Sequence, residues 1–317
     1  LPFKTVENQL KCIKFESMDT STLQSEIRKI AKEKGIFILA HSYQPMEIQE
    51  IADYVGDSLD LSKKAMESGS KKIMFCAVKF MAETASVLSP EKKIMIAVEE
   101  AGCPLANMIT PEDVVEMKKK YPKAKVVCYI NSPIEVKALS DVICTSANAL
   151  KIVEKTDSDE IIFIPDQGLG SWIASKTKKT LHIFNGYCPI HWLMDADQVR
   201  TTKAYHPDAL LVSHPESNPK VRELSDHVCG TSGMITYVKE NPGRCFIIAT
   251  ETGMKQRLEK MFPGERFVLA TKNITCPNMK KTTLEKLLES LREEKHVITV
   301  NKEIADRART AIERMHG

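Results

Sequence analysis

The sequence predicts an α/β fold: three pseudo-threefold-related, three-layer α/β/α domains, each with a small parallel sheet, and the active site at their central junction. Three observations carry this. Apolar runs alternate with amphipathic stretches along the 317 residues. Three segments align without gaps: AHSYQPMEIQEIADYVGDS from Ala40, CYINSPIEVKALSDVICTS from Cys128 and SHPESNPKVRELSDHVCGT from Ser213. Each repeat also ends a later apolar run in a loop carrying Cys-Pro, at Cys103, Cys188 and Cys276.

The elements follow in order. IFIL, KVV and ALLV precede the aligned segments and read as first strands. A polar triplet and a turn then lead into a helical stretch ending at Asp53, Asp141 or Asp226, spaced by 88 and 85 residues. Five residues beyond each aspartate stands a hydroxyl, Ser58, Ser146 or Thr231. Second strands are expected at KIMFCAV, EIIFIP and RCFIIAT, and third strands at KIMIAV, LHIFN and RFVLA. Seven residues past each Cys, Thr110, Asp195 and Thr283 are expected to cap the next helices. The units are assigned as 1–105 with 280–317, 106–190, and 191–279, each with three or four strands.

Composition bounds the function. With 43% hydrophobic and 27% charged residues the chain reads as an ordinary globular protein. A net charge of +3 from 45 basic and 42 acidic residues gives no sign of nucleic-acid or membrane-surface binding. No apolar run approaches a membrane span, and the first residues lack a secretory layout, so the expected compartment is the cytoplasm.

Nine cysteines without a CxxC or a Cys-His cluster argue against a disulfide framework and a local zinc finger. Cys76, Cys128 and Cys245 lie in strand runs and read as core. Cys144 and Cys229 share a column that the first repeat does not complete, and Cys12 lies in a patternless segment. Only Cys103, Cys188 and Cys276 share a loop column across all three repeats. Three thiolates from three units suit a soft metal centre, and a [4Fe–4S] cluster held by three cysteines leaves one iron open. Three buried structural thiols are the alternative.

Ligands bind beyond the carboxyl ends of parallel strands, so the polar triplets should converge with the thiols. They supply His41 and Tyr43, Tyr129 and Asn131, and His214 and Glu216; His191 follows Cys188 by three residues. These are proton-transfer and orienting groups. Ser58, Ser146 and Thr231, read as helix N-caps, would make three small anion sites for a dicarboxylate or phosphate substrate.

The motifs HSYQ, ADYVGDSLDLS, FMAETA, CPLANM, YIN, CTSANA, PDQGLG, GYCPIH, HPE, GTSGM, TETGM and CPNMKK together resemble the quinolinate synthase family, from about Lys34 to Met315. The resemblance implies a [4Fe–4S] cluster on Cys103, Cys188 and Cys276. It implies condensation of iminoaspartate with dihydroxyacetone phosphate, with an enzyme that supplies iminoaspartate as a possible partner. Tyr43, Glu216 and Thr231 then match proton-transfer positions. His41, Ser58, Tyr129, Asn131, Ser146, His191 and His214 match substrate contacts. Ser42, Tyr187 and Gly230 depart from the usual family residues, which bears on substrate geometry and not on reaction class. The first twenty or so residues are expected to form a non-catalytic arm. Two rivals share parts of this pattern: diphthamide synthases, which also gather three cysteines but cleave S-adenosylmethionine, and an iron–sulfur sensor without turnover. The YIN, HPE and TSANA loops favour small diacid chemistry.

Overall fold

A computed structural model describes residues 18–272 and 274–316. The expected N-terminal arm and Cys12 lie outside the described residues, except for the last few positions of the arm. The first four strands are β1 (Ile36–His41), β2 (Tyr54–Gly56), β3 (Lys72–Cys76) and β4 (Lys93–Ile96). They are followed by β5 (Lys125–Tyr129), β6 (Val142–Cys144), β7 (Glu160–Ile164) and β8 (Thr180–Ile183). The last four are β9 (Leu210–Ser213), β10 (His227–Val228), β11 (Cys245–Ala249) and β12 (Arg266–Leu269). They form three parallel sheets with one topology, in the orders β2-β1-β3-β4, β6-β5-β7-β8 and β10-β9-β11-β12. The predicted three-unit α/β architecture is therefore present.

Equivalent registers confirm the repeat. Leu39 of β1 stands opposite Phe75 of β3, and Val127 of β5 opposite Phe163 of β7. All four side chains are fully buried, as expected of strands covered by helices on both faces. The aligned aspartates share one structural task. Asp53, Asp141 and Asp226 accept the backbone amides of Ile38, Val126 and Leu211 at 2.7, 2.8 and 2.8 Å. Each carboxylate thus clasps the central strand of its own sheet. Each also pairs with a surface cation, Arg28, Lys125 or Lys203, a contact worth little because both partners are solvated.

The edge strands β2, β6 and β10 were not anticipated. Two or three residues show no periodicity, so only pairing with the central strand reveals them. The caps fall where the spacing puts them: Thr110 begins the helix Pro111–Lys120, Asp195 the helix Ala196–Tyr205, and Thr283 the helix Leu284–Glu293.

Residues 284–298 return to the first sheet, whereas the last helix, Lys302–Glu313, packs against the helices Lys79–Leu88 of the first unit and Ile134–Lys137 of the second. The helix Leu284–Glu293 packs against the helix Thr20–Lys34, and Val297 forms an antiparallel bridge with Met95 of β4. Glu294, in the left-handed region at φ 50°, receives Lys72 and Lys93 at 2.7 and 2.6 Å. Among the described residues, no helix is long and apolar enough to cross a membrane.

Candidate active site and metal centre

The carboxyl ends of the strands in all three sheets face one cavity of about 180 Å³. All thirteen residues singled out in the sequence line it. Cys103, Cys188 and Cys276 supply the thiols; His41, Tyr43, Tyr129, Asn131, His214 and Glu216 come from the first loops; His191, Ser58, Ser146 and Thr231 complete it.

Each cysteine opens a single helical turn. The carbonyls of Cys103, Cys188 and Cys276 accept the amides of Asn107, Trp192 and Lys280, four residues on. This common geometry sets all three side chains toward the axis. The thiols are partly buried and none is in a disulfide. Burial pushes the Cys103 thiol up to about 12 and raises Cys188 and Cys276 as well, so ligation of a metal must displace protons.

The donor set fits an iron–sulfur cluster. Three soft sulfurs arrive from three units, and burial excludes the water that degrades such centres. Cys188, His191 and Glu216 are the single group among the described residues with three potential ligand atoms within 4.8 Å of one another. The three sulfurs do not all lie within that distance of one another, so they are not set for a single ion. The closer trio is already joined by hydrogen bonds. His191 Nδ1 lies 2.7 Å from Glu216 Oε2 and 3.3 Å from Cys188 Sγ.

Around the thiols stands a buried polar network. The Tyr43 amide donates to His41 Nδ1 at 3.1 Å, which leaves Nε2–H of His41 as a donor. The aligned Glu216 amide makes the same contact with His214 Nδ1 at 3.3 Å. Burial lowers both His41 and His214 to about 3, so each ring is neutral near pH 7. Burial also raises Tyr43 and Tyr129 well above the ordinary phenol range, reinforced by the Glu216 charge. Glu216 behaves oppositely. Burial opposes its ionisation, yet His214 and the His191 hydrogen bond outweigh it and hold the carboxyl at about 2. Its Oε1 is buried with no protein partner among the described residues, an acceptor left for a substrate.

The hydroxyls are placed as expected, but not as caps. Asp57 caps the helix Ser58–Glu67, Gly230 stands at the cap of Thr231–Glu240, and Asn148 at that of Ala149–Lys155. Ser58 and Thr231 are instead first residues of their helices, and Ser146 lies in the preceding turn. A Cβ built on Gly230 would lie 2.8 Å from Ser146 Oγ, so glycine here makes room for a neighbouring unit's hydroxyl. Asp57 also faces the cavity. Burial and Asp60 raise its pKa, and Ser232 donates to it at 2.6 Å.

Several site residues escaped the sequence reading. Asp166 and Glu251 occupy one repeat column, each capping the helix after the strand read as second from the sequence, β7 or β11. Both are fully buried, and both turn back to the Cys-Pro loops: Asp166 accepts the Cys188 amide at 3.2 Å and Glu251 the Cys276 amide at 3.1 Å. Val78 holds the same column in the first unit and has no polar group. Aligning the ends of the second strands would have exposed this pair. Gly168 is a close-approach site, since a Cβ there would lie 2.3 Å from the Glu216 carbonyl oxygen. Arg222 secures that approach by donating to the carbonyls of Gly168 and Pro215.

The site's composition can be compared with known proteins. The model of the quinolinate synthetase A protein family matches residues 25–317. The chain belongs to the quinolinate synthetase A family. It is an enzyme of that family, and its relatives match over most of its length. Quinolinate synthase of Geobacter metallireducens is 45% identical, covering 94% of this chain and 98% of that protein. Quinolinate synthase of Caldicellulosiruptor bescii is 46% identical over 94% and 99%, and that of a Thermotoga species 47% over 92% and 97%. In this member of the quinolinate synthetase A family, the match spans every loop that enters the cavity.

Proposed function

We propose that the chain condenses iminoaspartate with dihydroxyacetone phosphate, giving quinolinate, phosphate and two waters, in the biosynthesis of NAD. The observation that carries this reading is the convergence of Cys103, Cys188 and Cys276 on one cavity with Tyr43 and Glu216. Those three cysteines would hold a [4Fe–4S] cluster. Such a cluster supplies an open iron acting as a Lewis acid on a carboxylate or hydroxyl.

The protein's own groups divide the remaining work. Glu216, ionised and with Oε1 free, takes a proton from the substrate carbon or nitrogen. Tyr43, held protonated by burial, returns one, and Thr231 lies within the same wall. His41, with its Nε2–H donor, Asn131 and the hydroxyls of Ser58 and Ser146 hold carboxylate and phosphate oxygens. Tyr129, His191 and His214 complete the walls and orient Glu216. Enclosure of these groups keeps water from the imine.

The units are taken as 1–105 with 280–317, 106–190 and 191–279, a division that draws support from the packing of the helix Leu284–Glu293 on the helix Thr20–Lys34, while the last helix, Lys302–Glu313, lies against both the first and the second unit. The eight described cysteines carry free thiols, which fits a reducing cytoplasm. Neither nucleic acid nor membrane is expected as a partner, whereas an enzyme generating iminoaspartate is, because that imine hydrolyses in water.

The test is anaerobic purification with iron and sulfide analysis, then incubation with iminoaspartate made in situ and dihydroxyacetone phosphate. About four irons per chain and quinolinate formation are expected. Cys103→Ala should abolish colour and turnover together, and Glu216→Gln turnover alone. A protein that binds no cluster under strict anaerobiosis, or a loaded one that makes no quinolinate, overturns the reading.

A further inference from the structure

Thr250 follows the last residue of β11 and is fully buried behind the cavity wall. Its hydroxyl joins two of the site's titratable side chains. Oγ1 lies 2.7 Å from the Tyr43 hydroxyl and 2.8 Å from His191 Nε2. Tyr43 comes from the loop after β1 and His191 from the loop after β8, so the threonine stands where all three sheets meet.

The other side of the imidazole fixes the direction of these bonds. His191 Nδ1 faces Glu216 Oε2 at 2.7 Å, and a carboxylate can only accept, so Nδ1 carries the ring proton. Nε2 is then an acceptor, and the hydroxyl donating to it is that of Thr250. With its one proton committed, Thr250 accepts from the Tyr43 phenol. The result is a head-to-tail series, Tyr43 O–H to Thr250 O–H to His191 Nε2, with His191 Nδ1–H lying between Glu216 Oε2 at 2.7 Å and Cys188 Sγ at 3.3 Å. Its members are all buried, where a hydrogen bond is stronger than in water.

The repeat shows that the fold itself does not require this hydroxyl. The equivalent positions, one residue before the caps Val78 and Asp166, are Ala77 and Pro165. Neither can make such a contact, and both sheets close without it.

We propose that Thr250 is a positioning residue of the active site: its hydroxyl holds the Tyr43 phenol in place and selects the His191 tautomer that faces Glu216. The inference rests on the reading that Tyr43 and Glu216 handle the substrate's protons. Valine removes the hydroxyl at nearly the same volume, and serine retains it.

The experiment compares wild type, Thr250→Val, Thr250→Ser and Thr250→Ala, all purified anaerobically, for quinolinate kcat and KM, iron content, cluster absorbance and melting temperature. Thr250→Val should lower kcat by about 10- to 100-fold, with KM, iron and absorbance unchanged, and Thr250→Ser should recover most of the rate. Wild-type turnover in Thr250→Val overturns the inference and leaves the proposed reaction standing. Equal inactivity of the Val and Ser variants also overturns it, since keeping the hydroxyl would then make no difference. Should Thr250→Val not fold, Thr250→Ala against Thr250→Ser decides, and failure of both hydroxyl-free variants to fold makes the residue structural and overturns the positioning role. A loaded wild type that makes no quinolinate sinks the underlying reaction instead.

Discussion

Glu251 accepts the backbone amide of Cys276 at 3.1 Å through one carboxylate oxygen, while the other accepts the amide of Gly253 at 2.6 Å. The same carboxylate lies 3.0 Å from Lys280 Nζ, and Lys280 also donates to the Tyr43 carbonyl. The end of β11, the Cys276 loop and the loop after β1 that carries Tyr43 are therefore pinned to one fully buried side chain.

Glu251→Gln should loosen the Cys276 loop. An amide has a single acceptor oxygen, so one of the two N–H groups would meet an NH2 donor instead. Leaving one buried amide unpaired costs about 1–3 kcal/mol. The variant is expected to hold less iron after anaerobic gel filtration and to melt lower, as is Asp166→Asn at Cys188. Iron content and melting temperature equal to wild type in both variants would falsify the clamp.

Gly168→Ala should impair turnover more than cluster loading. The added Cβ meets the Glu216 backbone at 2.3 to 3.0 Å, and backbone cannot rotate away as a side-chain tip can. Displacement of a catalytic group by about 1 Å can cost on the order of 100-fold in rate. Steady-state kinetics beside an iron assay would check this. A kcat within twofold of wild type means the loop accommodates the methyl group.

Lys137 lies fully buried between units, donating to Thr84 Oγ1 at 2.8 Å and the Phe80 carbonyl at 3.3 Å. Burial lowers it to about 8 from 10.5, with Glu83 opposing. Below pH 8 both folded and unfolded chains hold the proton, whereas between 8 and 10.5 only the unfolded chain does. The lysine therefore makes stability rise with pH across that window, by at most about 1.4 kcal/mol per unit. Urea midpoints of wild type and Lys137→Met should converge as pH rises from 8 to 10, with the variant at least as stable at pH 7. Parallel curves would show that the ammonium is not desolvated.

His41 and His214 act at the acid end. Both are held near 3 by burial, against 6.5 when unfolded. Above pH 6.5 both states are neutral, and between 6.5 and 3 only the unfolded chain takes up these protons. Stability should fall as pH drops through that window, by up to about 1.4 kcal/mol per unit for each histidine. Denaturation of wild type and His41→Asn at pH 7 and 5 measures it, the variant showing the smaller loss. An equal loss in both would mean that His41 is solvated.

Most of the architecture was legible because its signals are local. Strands such as KIMFC and EIIFI announce themselves by unbroken apolar runs, and Thr110, Asp195 and Thr283 by capping chemistry a few residues long. Repetition multiplied these weak signals. Asp53, Asp141 and Asp226 appeared as a column before their shared clasp of the central strand was visible. The same columns placed Cys103, Cys188 and Cys276 together, because equivalent loops of three equivalent sheets end at equivalent points.

What repetition conceals is where the three units differ, and there the tertiary structure decided. Thr250 is one hydroxyl among many until it is seen between Tyr43, 207 positions away in sequence, and His191, 59 away. Gly168 resembles any helix-start glycine until the Glu216 backbone lies against it. Ser58 and Thr231 read as caps because Ser and Thr favour that position, and a one-residue shift in each helix start freed their hydroxyls for the cavity. Helix starts, apolar runs and repeat columns depend on near neighbours in the chain and can be read from it. Hydrogen bonds between side chains of different units depend on how three sheets close around one axis, and no local pattern encodes that.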